Sequence, residues 1–379
     1  MATRTRSFSM RLVLSYVIDW VIIIAIAAVG AAFSAITPYR RPFDITNPDI
    51  SYPNVKEKVS TGLLVVIGLI IPGVIVFVVC LFIGVGPSTG KQSSKTKLLK
   101  RKLWELNAGW MGLALSLAIA FFISDGTKNL VGKPRPNLLA RCDPDVSRLL
   151  SSAVGGIGTV ENEGIKLVSW TICRNTGDIL DEGFRAFPSG HATFSFAGLT
   201  YLTLFLCAKL AITIPFLNYH NITSGSTPPR RQAAAAPIYL LIFPLVPIGL
   251  AIYVSTTRYS DFEHHGWDII AGAILGIASA WLGFRWYHLP INRGGGWAWA
   301  PRSPDRAFGR GIGHLTYVSN EESHNGHPMD LENGPHGTSN ITGNNTVRPY
   351  KTSNGSEGVH LDDYPGTAAG SDSSQRPLR

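Results

Sequence analysis

Six long apolar runs occupy most of the first 290 or so residues of this chain, and they limit what it can fold into. They lie near Leu12–Ile36, Thr61–Val85, Leu106–Ser124, Thr193–Ile214, Pro237–Ser255 and Trp267–Tyr287. The hydrocarbon core of a bilayer takes about 20 mainly apolar residues in helix. The runs therefore predict an all-α membrane protein with six spans. Lys209 stands near the end of the fourth run, where a long side chain can snorkel to the interface. Pro244 and Pro247 fall in the fifth, and membrane helices tolerate proline because neighbouring groups satisfy the freed carbonyls. Asp19 lies inside the first run. Its nearness to Arg11 and Trp20 reads as an interfacial position, with a buried functional charge as the alternative.

Only 16% of the residues are charged, against roughly 25% in soluble proteins, and they are unevenly placed. Residues 1–288 form the predicted membrane domain. Residues 289–379 are rich in Gly, Asn, Ser, Pro and His, lack an apolar period, and are expected to be a disordered tail. The N-terminus has a basic start, but the apolar stretch after it is too long for a signal peptide and reads as the first span. A net charge of +9 could point to nucleic acid. Here the basic residues flank apolar runs instead, so nucleic acid is not expected as a partner; the bilayer is.

Lys and Arg mark the loops that stay cytosolic. Arg4, Arg6 and Arg11 precede the first run, and Lys91, Lys95, Lys97, Lys100, Arg101 and Lys102 separate the second from the third. Arg230 and Arg231 precede the fifth, and Arg285, Arg293 and Arg302 follow or end the sixth. Both termini are thus expected in the cytosol, with loops 37–60, 125–192 and 256–266 facing the lumen or the exterior. The sequons at Asn221, Asn340, Asn344 and Asn354 fall on the cytosolic side of that scheme. Cys80 and Cys207 sit in apolar runs, whereas Cys142 and Cys173 share a non-cytosolic loop, a compartment that permits a disulfide between them. The chain has no Cys-x-x-Cys pair, which argues against zinc.

Three polar clusters adjoin the apolar runs, all on the predicted non-cytosolic side. The first is Lys128 to Pro136, containing Arg135; the second is Pro188-Ser189-Gly190-His191; the third runs from Thr257 through Arg258, His264 and His265 to Asp268. Lys128, Arg135 and Arg258 would suit a phosphate dianion, Arg through forked donors and Lys as a point charge. Lys133 reads as a residue that snorkels to head groups. Ser189 is a good N-cap and Gly190 permits close backbone approach, so the start of that helix is an anion site. His191 in its first turn could protonate a leaving oxygen, or the triplet could simply cap a helix. His264 and Asp268 are four apart and would share a helical face, which would let the carboxylate orient the ring for attack on phosphorus. His265 is three from Asp268 and is not excluded. A metal held by His264, His265, Asp268 and His191 is a further option.

The ordered set Lys-x6-Arg-Pro, Pro-Ser-Gly-His and Arg-x5-His-x3-Asp resembles the signature of the type 2 phosphatidic acid phosphatase superfamily, the lipid phosphate phosphatases, over roughly residues 10–290. The stretches LWELNAGWMGLALS, KNLVGKPRPNLLARC and GFRAFPSGHATFSFAGL look like its fungal branch, which acts on diacylglycerol pyrophosphate and phosphatidic acid. The resemblance implies that His264 is the nucleophile, forming a phosphohistidine, and that Asp268 orients it. It implies that His191 protonates the leaving oxygen and then activates water. Lys128, Arg135, Arg258, Ser189 and Gly190 would hold the phosphate, and no metal or other cofactor would be needed. One departure is Thr257, where the third motif commonly has Ser; the hydroxyl is kept. The alternatives are a sphingoid-base or isoprenoid phosphate as substrate, a phosphotransferase, and a lipid-binding relative with a vestigial site. A transporter would show more polar residues within its helices, and a repeat.

Overall fold

The computed structural model describes residues 10–82, 95–155, 167–210, 212, 238–291 and 308. The expected tail lies outside them apart from 289–291 and 308, as do the four sequons. Among the described residues six helices are long and apolar enough to cross a membrane: Met10–Ser34, Thr61–Phe82, Leu99–Val131, Gly190–Lys209, Ile238–Ser260 and Gly266–Tyr287. The chain is a mostly helical, multi-pass membrane protein.

The third span departs most from its apolar run. Its helix covers Lys95–Val131, well beyond Leu106–Ser124 at both ends. Lys, Leu, Arg and Glu before the run are good helix formers, so polarity ends the hydrophobic stretch without ending the helix. The other extension carries Asp125 and Lys128, so the first motif begins on the helix rather than after it. Gly132 then stops the helix with φ +59, its N–H returning to the Lys128 carbonyl at 3.1 Å. A Cβ there would collide with the Tyr39 backbone.

The fourth span is the centre of the bundle and packs against the second, third, fifth and sixth. Within its most apolar window 78% of residues are buried, against 17% for the first span, which packs mainly on the third. Glycines bring the sixth span backbone to backbone with its neighbours. A Cβ at Gly272 would lie 2.6 Å from the Ser189 carbonyl oxygen, and one at Gly276 would lie 2.5 Å from that of Thr193. This close approach, typical of small residues between membrane helices, sets the third motif beside the second. In the second span, Val66–Ile70 forms a π turn just before Pro72, which lacks the N–H an α-helix needs there.

One intramembrane charge differs from expectation. Lys209 does not snorkel: it pairs with Glu105, and both are buried. Asp19 accepts a hydrogen bond from the Tyr287 hydroxyl at 2.9 Å, which ties the first span to the sixth.

The described residues of loops 37–60 and 132–189 build a cap with its own small core. Phe43, Ile50, Leu138, Val168, Ile172, Leu180 and Phe184 pack together around a disulfide joining Cys142 and Cys173. Three very short strands, Phe43–Asp44, Leu167–Val168 and Ala153–Gly155, pair antiparallel in that order. The bridge closes a sequence separation of 31 residues, worth about 3–4 kcal/mol in the chain-entropy description.

Candidate active site

A cavity of about 270 Å³ lies where the cap meets the spans. Six of the residues singled out in the sequence line it together: Lys128, Arg135, Gly190, His191, Arg258 and His264. The other wall is apolar, with Leu64, Val65, Ala120, Phe121 and Phe194 from the second, third and fourth spans. Ser189 and Asp268 stand behind this lining and are fully buried.

Each cation in the cavity is met by carboxylates that the motifs do not include. Lys128 pairs with Asp125 at 3.0 Å. Arg135 pairs with Glu182 at 2.8 Å and also with Glu263. Arg258 pairs with Asp261 at 3.0 Å and Glu57 at 3.4 Å. Glu263 also accepts from Arg141 at 2.9 Å, which links the residue beside Cys142 to the one beside His264. Burial opposes ionisation of Glu263, but the Arg135 and Arg141 guanidiniums outweigh it and hold its carboxyl below the usual range. Glu182 is held down in the same way, against burial, by Arg135 and Arg185. Asp125 and Asp261 sit three residues from their partners, a spacing that could have revealed them. Glu57 and Glu182 come from distant loops and leave no local signal.

Both histidines are oriented by backbone carbonyls. His264 Nδ1 lies 2.7 Å from the Ala186 oxygen. That contact makes Nδ1 the protonated nitrogen and leaves the lone pair on Nε2. Burial first, then Arg135 and Lys128, push the His264 pKa well below its ordinary value, so the ring is neutral. His191 Nε2 lies 3.0 Å from the Val59 oxygen, which leaves Nδ1 as its second ring nitrogen. Glu57, Lys58 and Val59 therefore form a strap over the site. They touch Arg258, Asp261 and His191 in turn, the Lys58 N–H donating to Asp261 at 2.9 Å.

The expected pairing of Asp268 with His264 is corrected. The sixth helix starts only at Gly266, with His265 as its N-cap, so His264 precedes the helix and shares no face with Asp268. Asp268 instead accepts from Lys133 Nζ at 2.6 Å and from the His265 N–H at 3.0 Å, with His265 Nδ1 at 3.2 Å. Its own carbonyl accepts the Ser189 N–H at 3.0 Å. Lys133 is thus not a snorkelling residue. Its carbonyl accepts the Ala186 N–H at 3.1 Å, and Ala186 in turn orients His264. Among the described residues Asp268 makes no hydrogen bond of its own with His264; Lys133 and Ala186 form one hydrogen-bonded link between them.

Gly190 lets the Lys128 ammonium come close to the helix start. A Cβ there would lie 2.5 Å from Lys128 Nζ, the far end of a flexible side chain, so a substitution would displace the cation rather than the fold. Ser189 caps the helix that follows, accepting from the Ala192 N–H. The metal alternative needs at least three donors to converge, and among the described residues no such group of His, Cys, Asp or Glu exists.

Residues 109–291 match the PAP2 superfamily, a range that holds all three motifs. Lipid phosphate phosphatase 1 of Arabidopsis thaliana is 30% identical over 286 residues, covering 75% of this chain and 71% of that protein. The probable diacylglycerol pyrophosphate phosphatase 1 of Schizosaccharomyces pombe is 29% identical over 276 residues, covering 72% and 82%. Diacylglycerol pyrophosphate phosphatase 1 of Saccharomyces cerevisiae is 27% identical over 256 residues, covering 67% and 73%. The chain belongs to the PAP2 superfamily. No solved structure matches it significantly.

Proposed function

We propose that this chain is a lipid phosphatase that converts diacylglycerol pyrophosphate to phosphatidic acid and phosphatidic acid to diacylglycerol, through a phosphohistidine on His264. Phosphatase chemistry on lipids follows from the family and the named relatives. The reading of substrate and mechanism rests on one observation. The cavity gathers three cations around a neutral, carbonyl-oriented histidine, and its far wall is made of membrane helices.

In this reading the substrate's terminal phosphate enters among Lys128, Arg135 and Arg258, with its acyl chains toward the apolar wall. His264 Nε2 attacks phosphorus. The N–P bond forms as the bond to the lipid oxygen breaks, and His191 gives that oxygen its proton. Water then attacks the phosphohistidine, His191 takes the water proton, and inorganic phosphate leaves. Fixed cations against the charge of the transition state can lower such a barrier by several kcal/mol. No metal takes part in this scheme. The Lys and Arg distribution supports a cytosolic location for both termini, with the cavity opening to the lumen or exterior.

The test is phosphate release from both lipids in detergent micelles with EDTA present, wild type against His264→Ala. Release by wild type alone supports the reading. Release that needs added magnesium overturns the metal-free scheme. Activity confined to sphingoid-base or isoprenoid phosphates moves the substrate, and silence on all of them favours a vestigial site.

A further inference from the structure

Ser124 lines the cavity, is only 2% exposed, and its hydroxyl has no hydrogen-bond partner among the described residues. It lies on the third span one turn before Lys128 and belongs to none of the motifs. A hydroxyl inside a helix ordinarily returns its proton to a carbonyl three or four residues back. Ser15, Thr203 and Ser279 all do so in this protein. Ser124 does not, although an unpaired buried hydroxyl lowers stability. Its immediate company consists of anion-binding groups. An ideal Cβ at Gly190 would lie 3.8 Å from Ser124 Oγ and 2.5 Å from Lys128 Nζ. The hydroxyl, the ammonium and the N-terminal end of the fourth span thus surround one small volume. Two residues that line the same cavity also carry a buried nitrogen without a partner among the described residues, Arg135 Nε and Arg258 Nε. All three are donors, and a tetrahedral oxyanion supplies the acceptors that they lack.

We propose that Ser124 is a substrate-binding residue whose hydroxyl donates to an oxygen of the transferred phosphoryl group, beside Lys128. The proposal rests on the phosphatase reading of this cavity and adds a ligand to it from outside the motifs. Because the Ser124 hydroxyl makes no hydrogen bond among the described residues, removing it breaks none of theirs.

The experiment compares wild type, Ser124→Ala and Ser124→Thr as full-length protein in detergent micelles. It reads kcat and KM on phosphatidic acid, inhibition by orthovanadate, and melting temperature with and without orthovanadate. Ser124→Ala is expected to lose about tenfold in kcat/KM and in vanadate affinity, the effect of one hydrogen bond to a charged group. Its melting temperature without ligand should match or exceed that of wild type. Ser124→Thr, which keeps the hydroxyl, should restore most of both losses. If wild type hydrolyses the lipid and is stabilised by vanadate while Ser124→Ala behaves identically, the proposal is wrong and the phosphatase reading stands. The proposal is equally wrong if Ser124→Thr is as impaired as Ser124→Ala. If wild type neither hydrolyses lipid phosphates nor responds to vanadate, the phosphatase reading fails and this proposal falls with it.

Discussion

The membrane bundle and the cap contribute to the cavity in different ways. The spans and the residues just outside them bring the side chains that would touch a phosphate: Lys128, His191, Arg258 and, two residues before the sixth span, His264. The cap brings Arg135 and otherwise supplies orientation and counter-charge, through the Ala186 and Val59 carbonyls and the Glu57 and Glu182 carboxylates. Substitutions in the first group should therefore remove turnover, and substitutions in the second should tune it. The largest expected effect is that of His264→Ala or His191→Ala, a fall in kcat of about a thousandfold or more, measured as phosphate release. His265→Ala should keep most turnover and cost about 0.5–1.5 kcal/mol of stability through its lost contact with Asp268. A dead His265→Ala beside an active His264→Ala would reverse the nucleophile assignment.

The route from Asp268 to His264 gives the next largest effect. If Asp268 acts through Lys133 and Ala186, Lys133→Met should reproduce most of the loss seen in Asp268→Asn, about ten- to a hundredfold in kcat with little change in KM. Direct polarisation of His264 by Asp268 would instead leave Lys133→Met nearly active. Breaking a buried pair costs about 3–5 kcal/mol. Lys133 is 30% exposed, so solvent screening should reduce this to about 1–3 kcal/mol in a melting experiment.

The pKa shifts predict how stability follows pH. Below about 6.5 an unfolded histidine takes up a proton, whereas folded His264, with its pKa pushed down, stays neutral. Its contribution is therefore complete above about pH 6.5 and is lost as pH falls below it. The depressed carboxyl of Glu263 adds a second decline below about pH 4.3, the ordinary glutamate value. The melting temperature should drop in two stages, one below about pH 6.5 and one below about pH 4.3, and Glu263→Gln should shrink the second, to which Glu182 also contributes. The neutral His264 also means that the acid limb of kcat/KM does not report the nucleophile.

A smaller effect is expected from the disulfide. Cys142→Ser with Cys173→Ser should lower the melting temperature in line with about 3–4 kcal/mol of lost loop restraint. The same change should reduce kcat/KM only severalfold, because Ala186 stays tied to Lys133. An unchanged melting curve under reductant would show that the cap draws no rigidity from the bridge.

The bundle was legible in the sequence because membrane helices satisfy their own backbone, so hydropathy alone finds them. The motif residues were legible because their spacing is local. Both kinds of reading stopped at contacts made by distant chain segments. Nothing near His264 announces that its orienting partner is the Ala186 carbonyl, and nothing near His191 announces Val59. The Asp268 expectation failed because it assumed a helix through residue 264, when His265 starts it. The third span ran past its apolar limits because helix propensity outlasts hydrophobicity in Lys95–Glu105.

Glu57 offers the smallest effect and the sharpest test of what the cap is for. Two carboxylates hold Arg258, and they differ in kind. Asp261 is buried and sits 3.0 Å from the guanidinium, while Glu57 sits 3.4 Å away and is 36% exposed. A phosphate oxygen arriving at Arg258 would displace the weaker, wetter partner. Glu57→Gln removes that competitor and one negative charge, so KM for phosphatidic acid should fall about two- to fivefold, the range of a partly exposed ion pair. The kcat should hold or decline slightly as product phosphate leaves more slowly. Asp261→Asn should act oppositely, raising KM and lowering the melting temperature, because it unclamps Arg258 and frees Lys58 together. A rise in KM for Glu57→Gln would mean that the strap positions Arg258 rather than competing for it. The cap would then belong to the binding apparatus on the same footing as the spans.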